Sequence, residues 1–326
     1  MGKILFIRGG AVGDFILTLP AIGLVREQLP TAGIELLGYP PTNRLALASG
    51  LVDAAKSMEY GPLAAFFVPN GTLPEDLATY FAGFSVVVSY LYDPDGYFAE
   101  NLRRAGVKTL LLGPHRVDEG LADQPASAQL ARPLESLALY LDRPWITLDL
   151  PEASVAEAGQ ALPDLFAGNH RWVALHPGSG SPRKNWSFEG WVDVAASLGE
   201  RDPSIRFLVT HGEAEEPVIE AFLALLRDRG VPHVRSGHLS LPALGALLRR
   251  CDLYLGHDTG VSHLAAACAV PSVLLFGRTD PAIWAPRHPA VSVIAAPDGD
   301  LSQIRPRVVS DLAWSKLSGR ATSSPP

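Results

Sequence analysis

Short β-rich runs alternate with longer helical patterns along this chain, in two successive series, and nothing else constrains its fold as much. Strand, helix and strand in that rhythm need crossover connections, which build parallel sheets with helices on both faces. The first series has strands predicted at 3–7, 34–37, 85–89 and 109–112, and a helix over 14–28 that Pro20 is expected to bend. Regularity lapses near 144–151. A second series follows, with strands at 173–175, 207–210, 252–255, 272–276 and 292–295 and helices near 188–198, 215–229, 241–250 and 262–268. The expected architecture is α/β, with doubly wound domains over 1–155 and 165–305. A terminal helix over 306–317 and a disordered tail over 318–326 complete it.

Charge narrows the function. The chain carries 27 Lys+Arg against 34 Asp+Glu, net −7. Residues 1–150 hold 11 against 16, and the rest 16 against 18. With no basic field to hold a polyanion, nucleic-acid binding is not expected. The two cysteines, Cys251 and Cys268, form no disulfide framework and read as small apolar residues of a reducing cytosol. The first eight residues read as a buried strand closed by Arg8 rather than a signal peptide, and no stretch is long enough to span a bilayer. A cytoplasmic protein is expected. A transient visit to the inner face of the membrane stays open, though nothing anchors the chain there.

The loops that follow strands carry the chemistry. In 256–267 the run Gly256-His257-Asp258-Thr259-Gly260-Val261-Ser262-His263 leaves a strand and enters an Ala-rich helix. Free N–H groups in the first turn suit a pyrophosphate, Thr259 and Ser262 offer hydroxyls, and Asp258 can accept from sugar hydroxyls. The plain alternative is a helix capped by Asp258 or Thr259. In 176–186, His-Pro-Gly-Ser-Gly-Ser-Pro-Arg-Lys-Asn-Trp supplies N–H groups, two serines and a cation without Walker spacing. Its alternative is a solvated turn. In 8–14, Arg8 occupies the first glycine of G-x-G-x-x-G, and no acid ends the second strand, so a nicotinamide site is not expected. What remains is Asp14 on a glycine-rich turn, either a catalytic carboxylate or a cap. Asp93-Pro94-Asp95-Gly96 reads as a turn rather than a metal motif. His176, His211, His257 and His263 lack metal spacing and read as hydrogen-bonding groups.

Together, G-D-F-I-L-T-L-P after the first strand, H-P-G-S-G-S-P-R-K-N-W after the junction, and H-D-T-G-V-S-H-L-A-A-A with F-G-R-T-D-P-A-I-W-A-P resemble glycosyltransferase family 9, which contains the ADP-heptose:lipopolysaccharide heptosyltransferases. The resemblance implies two facing Rossmann-like domains (the B-type glycosyltransferase fold) and an inverting, metal-independent enzyme that needs no cofactor. Its partners would be a nucleoside-diphosphate sugar donor and a glycan or glycolipid acceptor. By the same resemblance Asp14 matches the general base and Lys184 the lysine at the donor phosphate and sugar. Ser179 and Gly180 fall where the pyrophosphate is held. Asp258, Thr259, Gly260 and His263 match the donor-binding segment, and Glu213 lies near the nucleoside. The net −5 of the first half suggests a lightly charged acceptor, met by hydroxyl hydrogen bonds and the faces of Tyr90, Tyr92 or Tyr97. Two rivals keep the same fold: a sugar-nucleotide epimerase, which needs no acceptor, and a non-catalytic sugar-nucleotide-binding protein, which has no use for a base.

Overall fold

The computed structural model describes residues 2–168, 170–213 and 215–320. The chain divides into two compact units, Met1–Ile146 and Thr147–Pro326. Segment 147–155 thus belongs with the second unit, ahead of the expected junction.

The first unit winds β1 (Lys3–Arg8), α1 (Val12–Gln28), β2 (Gly33–Gly38), α2 (Pro40–Ala48), β3 (Ala54–Ser57), α3 (Glu75–Ala82), β4 (Val86–Ser89), α4 (Tyr97–Arg104), β5 (Leu110–Leu112) and α5 (Ala126–Ala131). Its sheet is parallel throughout, in the order β3-β2-β1-β4-β5. β1 is buried from Ile4 to Arg8, which is why its apolar residues run together instead of alternating. On one face Leu5, Ile7 and Val87 pack against Phe66, Phe81 and Phe98. The Phe66 and Phe81 rings meet edge-on at 4.9 Å. Helix α1 continues through Pro20 from Val12 to Gln28.

The second unit contains α6 (Glu152–Ala161), α7 (Pro163–Ala167), β6 (Arg171–Leu175), α8 (Phe188–Arg201), β7 (Ile205–Val209), α9 (Ile219–Asp228), β8 (His233–Arg235), α10 (Leu241–Arg249), β9 (Leu253–His257), α11 (Gly260–Ala267), β10 (Ser272–Phe276), α12 (Pro281–Trp284), β11 (Val291–Ala295) and α13 (Pro306–Arg320). All its strands are parallel, in the order β11-β10-β9-β6-β7-β8. Trp191, Phe207, Phe222, Val273, Val309 and Leu317 fill one face of the sheet.

Both orders follow the doubly wound rule: the winding reverses once, between β1 and β4 in the first unit and between β6 and β9 in the second. Ligands of such sheets bind outside the strand ends at that reversal, because there the two flanking crossovers leave in opposite directions and open a crevice. The loops of interest are therefore those after β1 and β4, and those after β6 and β9.

Several expectations need correcting. β3 and β8 were not foreseen, and neither were α2 to α7. Helix α9 starts at Ile219, because Glu215 lies in the preceding turn. Residues 318–320 continue α13 instead of beginning a disordered tail, while 321–326 lie outside the described residues.

Candidate functional site

In the second unit, the loop after β6 closes with a short turn of 3-10 helix, Pro182–Lys184. This brings Lys184 against the end of β9, and Lys184 Nζ donates to Asp258 Oδ2 at 2.7 Å. The two residues are 74 positions apart, and the β6/β9 reversal puts them side by side. Asp258 is largely buried, and His263 Nε2 stands 3.8 Å from its other oxygen. Burial alone would raise the Asp258 carboxyl, but His263 and Lys184 outweigh it and hold its pKa down at about 2. Asp258 is therefore an anion at any working pH, facing a half-exposed ammonium.

Thr259 is the N-cap of α11, its hydroxyl accepting from Ser262 N–H at 3.3 Å. The Ser262 hydroxyl donates in turn to the His257 carbonyl, tying the helix start back to the strand. Gly260 is the first helical residue and is not among those with positive φ. What it offers is a missing Cβ where a ligand would approach the N–H groups. The Ser179 hydroxyl is spent inside its loop, 2.6 Å from Asn185 Oδ1 and 2.7 Å from the Ser181 carbonyl. A Cβ on Gly180 would meet open space.

Glu213 is exposed in the turn after β7, and the buried carboxylate of that turn is Glu215. Glu215 accepts from Gly212 N–H at 2.7 Å and lies 3.8 Å from His176 Nε2, while His176 Nδ1 pairs with the Thr210 hydroxyl at 3.0 Å. Burial pushes the His176 pKa down, against the pull of Glu215. Gly178 packs on Glu215 so closely that a Cβ there would stand 2.2 Å from Cγ. These contacts lock the first half of the β6 loop onto the end of β7. Sequence reasoning gave no role to Glu215 or Asn185. Their roles are contacts across the fold, which spacing alone does not show.

In the first unit Asp14 sits in the first turn of α1. Its Oδ2 accepts from Ala11 N–H at 3.1 Å, half of a capping box whose other half Ala11 has no hydroxyl to supply. Asp14 is thus the third residue of the helix rather than its N-cap. Gly10 has φ +93, a conformation that favours glycine, and its missing Cβ leaves room for Asp14 Oδ2. Buried Arg8 lies beside it, with Nη2 3.8 Å from Asp14 Oδ1 and 3.4 Å from the Asp14 carbonyl. Burial lowers the Arg8 pKa, opposed by Asp14 and Tyr90. Arg8 had one visible signal, a charge closing the apolar run Ile4–Ile7.

The acceptor tyrosines divide. Tyr90 is buried, its hydroxyl donating to the Leu130 carbonyl at 2.7 Å, and it is not available to a glycan. Tyr97 is half-buried, while Tyr92 is exposed with its ring 4.7 Å from His115. Asp93 spends both oxygens on backbone N–H groups of α4, from Phe98 and Ala99, and its carbonyl accepts from Gly96 N–H, closing a turn. Among the described residues no three His, Cys, Asp or Glu side chains gather as a metal would require, and no helix is long and apolar enough to cross a membrane. A cavity of about 1120 Å³ adjoins the β6 loop at Arg183, Asn185 and Trp186, but Lys184 and Asp258 do not line it. In a doubly wound sheet the strand reversal is a better guide to a ligand site than volume is.

Two parallel sheets wound in this way match the class that the solved neighbours define: a B-type glycosyltransferase fold. The chain belongs to glycosyltransferase family 9 (heptosyltransferase), whose family model matches residues 99–305. It is similar to the lipopolysaccharide core heptosyltransferase OpsX of Haemophilus influenzae, 26% identical over 171 residues. That match covers 52% of this chain and about half of the relative, 49%. Lipopolysaccharide heptosyltransferase 3 of Escherichia coli is 24% identical over 297 residues, covering 84% of this chain and 83% of the relative. The solved E. coli ADP-heptose lps heptosyltransferase II superposes with a TM-score of 0.74 at 18% identity, over 98% of this chain and all of that one, 100%. The chain is a glycosyltransferase that uses a nucleotide sugar.

Proposed function

We propose that this enzyme transfers heptose from ADP-heptose to a lipopolysaccharide-core acceptor, with inversion and without a metal. The observation that carries the donor half is the Lys184–Asp258 pair at the β6/β9 reversal, beside the start of α11. Asp14 takes the proton of the acceptor hydroxyl. The acceptor oxygen bonds to the anomeric carbon from the face opposite the phosphate, and the bond from that carbon to the phosphate oxygen breaks. ADP leaves with an added negative charge. Lys184 and the N–H groups opening α11 answer that charge, which is the largest catalytic contribution expected of such a site. Asp258 orients the ammonium, and Ser179, Gly180, Thr259, Gly260 and His263 shape the pyrophosphate and sugar contacts. Glu213, exposed on the β7 turn, is left as the nucleoside contact. Ala11 N–H holds Asp14 Oδ2 and Arg8 lies 3.8 Å from Oδ1, so the carboxylate is kept in one orientation and the proton goes to the lone pair of Oδ1 turned away from Arg8. The family, its lipopolysaccharide-directed relatives and the ADP-heptose enzyme of like fold support the substrate pair. We place the enzyme in the cytoplasm, meeting a lipid-borne acceptor at the inner face of the membrane.

The test is transfer itself. Purified enzyme, ADP-heptose and heptose-deficient lipopolysaccharide core should yield an acceptor heavier by one heptose and an equal amount of ADP. ADP-heptose consumed without acceptor would favour an epimerase or hydrolase, and binding with no turnover would leave a binding protein.

A further inference from the structure

Segments 184–186 and 257–258 pass each other with two contacts between them. Trp186 N–H donates to His257 Nε2 at 2.8 Å, fully buried, and Lys184 Nζ donates to Asp258 Oδ2 at 2.7 Å, nearer the surface. The inner contact is rigidly backed. A Cβ on Gly190 would come within 2.7 Å of the Trp186 ring, so α8 carries glycine where the indole lies. That ring meets Trp191 edge-on at 5.0 Å, and Trp191 closes on the His257 imidazole at 5.2 Å.

An imidazole that accepts at Nε2 is neutral and carries its proton on Nδ1. His257 is fully buried, and the Gly178 backbone is a further hydrogen-bonding neighbour of its ring. A leucine would fill the space but could not accept from Trp186 N–H, and that acceptance at Nε2 is what this position gains from histidine. Burial, aided by nearby His176, drives the His257 pKa down to about 3, so the ring keeps accepting throughout the neutral range.

We propose that His257 is a positioning residue: by holding Trp186 N–H it fixes the end of the β6 loop and so sets Lys184 against Asp258, in register for the donor's phosphates. The last clause rests on the reading of Lys184 as a phosphate ligand given above. The loop has two ends. His176, Glu215 and Gly178 secure the first on β7, and His257 secures the second on β9.

Three variants test this: His257→Gln, whose carbonyl reaches the place of Nε2, and His257→Asn and His257→Leu, which put no acceptor there. The first readout needs no ligand. Lys184 is acylated by an amine-reactive ester, and its rate is scored by peptide mass spectrometry against exposed Lys108. An ammonium held on Asp258 is shielded from the ester, and one released from it is open to attack. Asn and Leu should therefore label Lys184 at least about fivefold faster than the wild type, and Gln within about twofold of it. Equal labelling in all four proteins, or Gln behaving like Leu, overturns the proposal. If the Leu protein does not fold, the Gln–Asn contrast decides. The second readout is ADP affinity by calorimetry, with Lys184→Ala as reference. Asn should weaken ADP by about tenfold and Gln should restore most of it, in line with one charge-assisted contact. If labelling follows the expected order but Lys184→Ala leaves ADP affinity unchanged, the phosphate reading fails and the positioning of Lys184 stands.

Discussion

Replacing Asp258 with Asn should reveal a stabilising charge through its pH dependence. The Asp258 pKa drops from an ordinary 3.8 to about 2 in the folded chain. A shift of that size corresponds to about 2.5 kcal/mol. The His263 contact is long at 3.8 Å and Lys184 is partly in water, so the effective figure is about 1–2.5 kcal/mol. Because the folded pKa is the lower one, the contribution is complete above the unfolded value, near pH 4 to 5. It falls as acid protonates the native carboxylate, to roughly half by pH 3, and is nearly gone at pH 2. Urea unfolding followed by tryptophan fluorescence suits the purpose, since Trp172, Trp186, Trp191, Trp284 and Trp314 all lie in the second unit and only Trp145 in the first. The wild type should exceed the variant by about 1–2.5 kcal/mol at pH 7, and the gap should close on the acid side. A gap below about 0.5 kcal/mol at pH 7, or one as large at pH 3 as at pH 7, would refute the reasoning.

Asp14→Asn should cut transfer by about 10²- to 10⁴-fold with ADP affinity nearly intact, and activity within threefold of wild type would remove Asp14 as the base. Lys184→Ala should weaken ADP by about ten- to a hundredfold and slow turnover further, because leaving-group charge grows toward the transition state; calorimetry and steady-state rates check both. Gly178→Ala forces a Cβ to 2.2 Å from Glu215 Cγ and should lower stability by about 1–3 kcal/mol, where an unchanged melting curve would mean the β6 loop is softer than these contacts imply. Transfer should survive excess EDTA, with loss on chelation and recovery on adding magnesium as the contrary result.

The double winding was legible because β1, β9 and β10 are buried on both faces and so read as uninterrupted apolar runs. Two of the four edge strands were not. β3 is Ala-Ala-Lys-Ser and β8 is only His-Val-Arg, so their strand character comes from pairing with β2 and β7 and leaves no pattern of its own. Lys184 and Asp258 each stood out within a loop, but their contact depends on which strand lies beside β6, and single-chain spacing does not reveal that. Tyr90 shows the opposite failure: polar-looking and near a turn, it is buried because its hydroxyl finds the Leu130 carbonyl. His257 was legible only as a hydrogen-bonding group, since at the end of an apolar run a satisfied core histidine and a loop staple look alike.

The two strand reversals both fall inside their sheets: β1, β4, β6 and β9 each have a hydrogen-bonded neighbour on either side, while β3, β5, β8 and β11 form the margins. The site loops thus spring from the strands whose places are hardest to disturb. Change at a margin need move only one neighbour, and the reversal stays where it is. Such a layout separates what can drift from what must hold. A sequence can then change at the margins without moving either crevice.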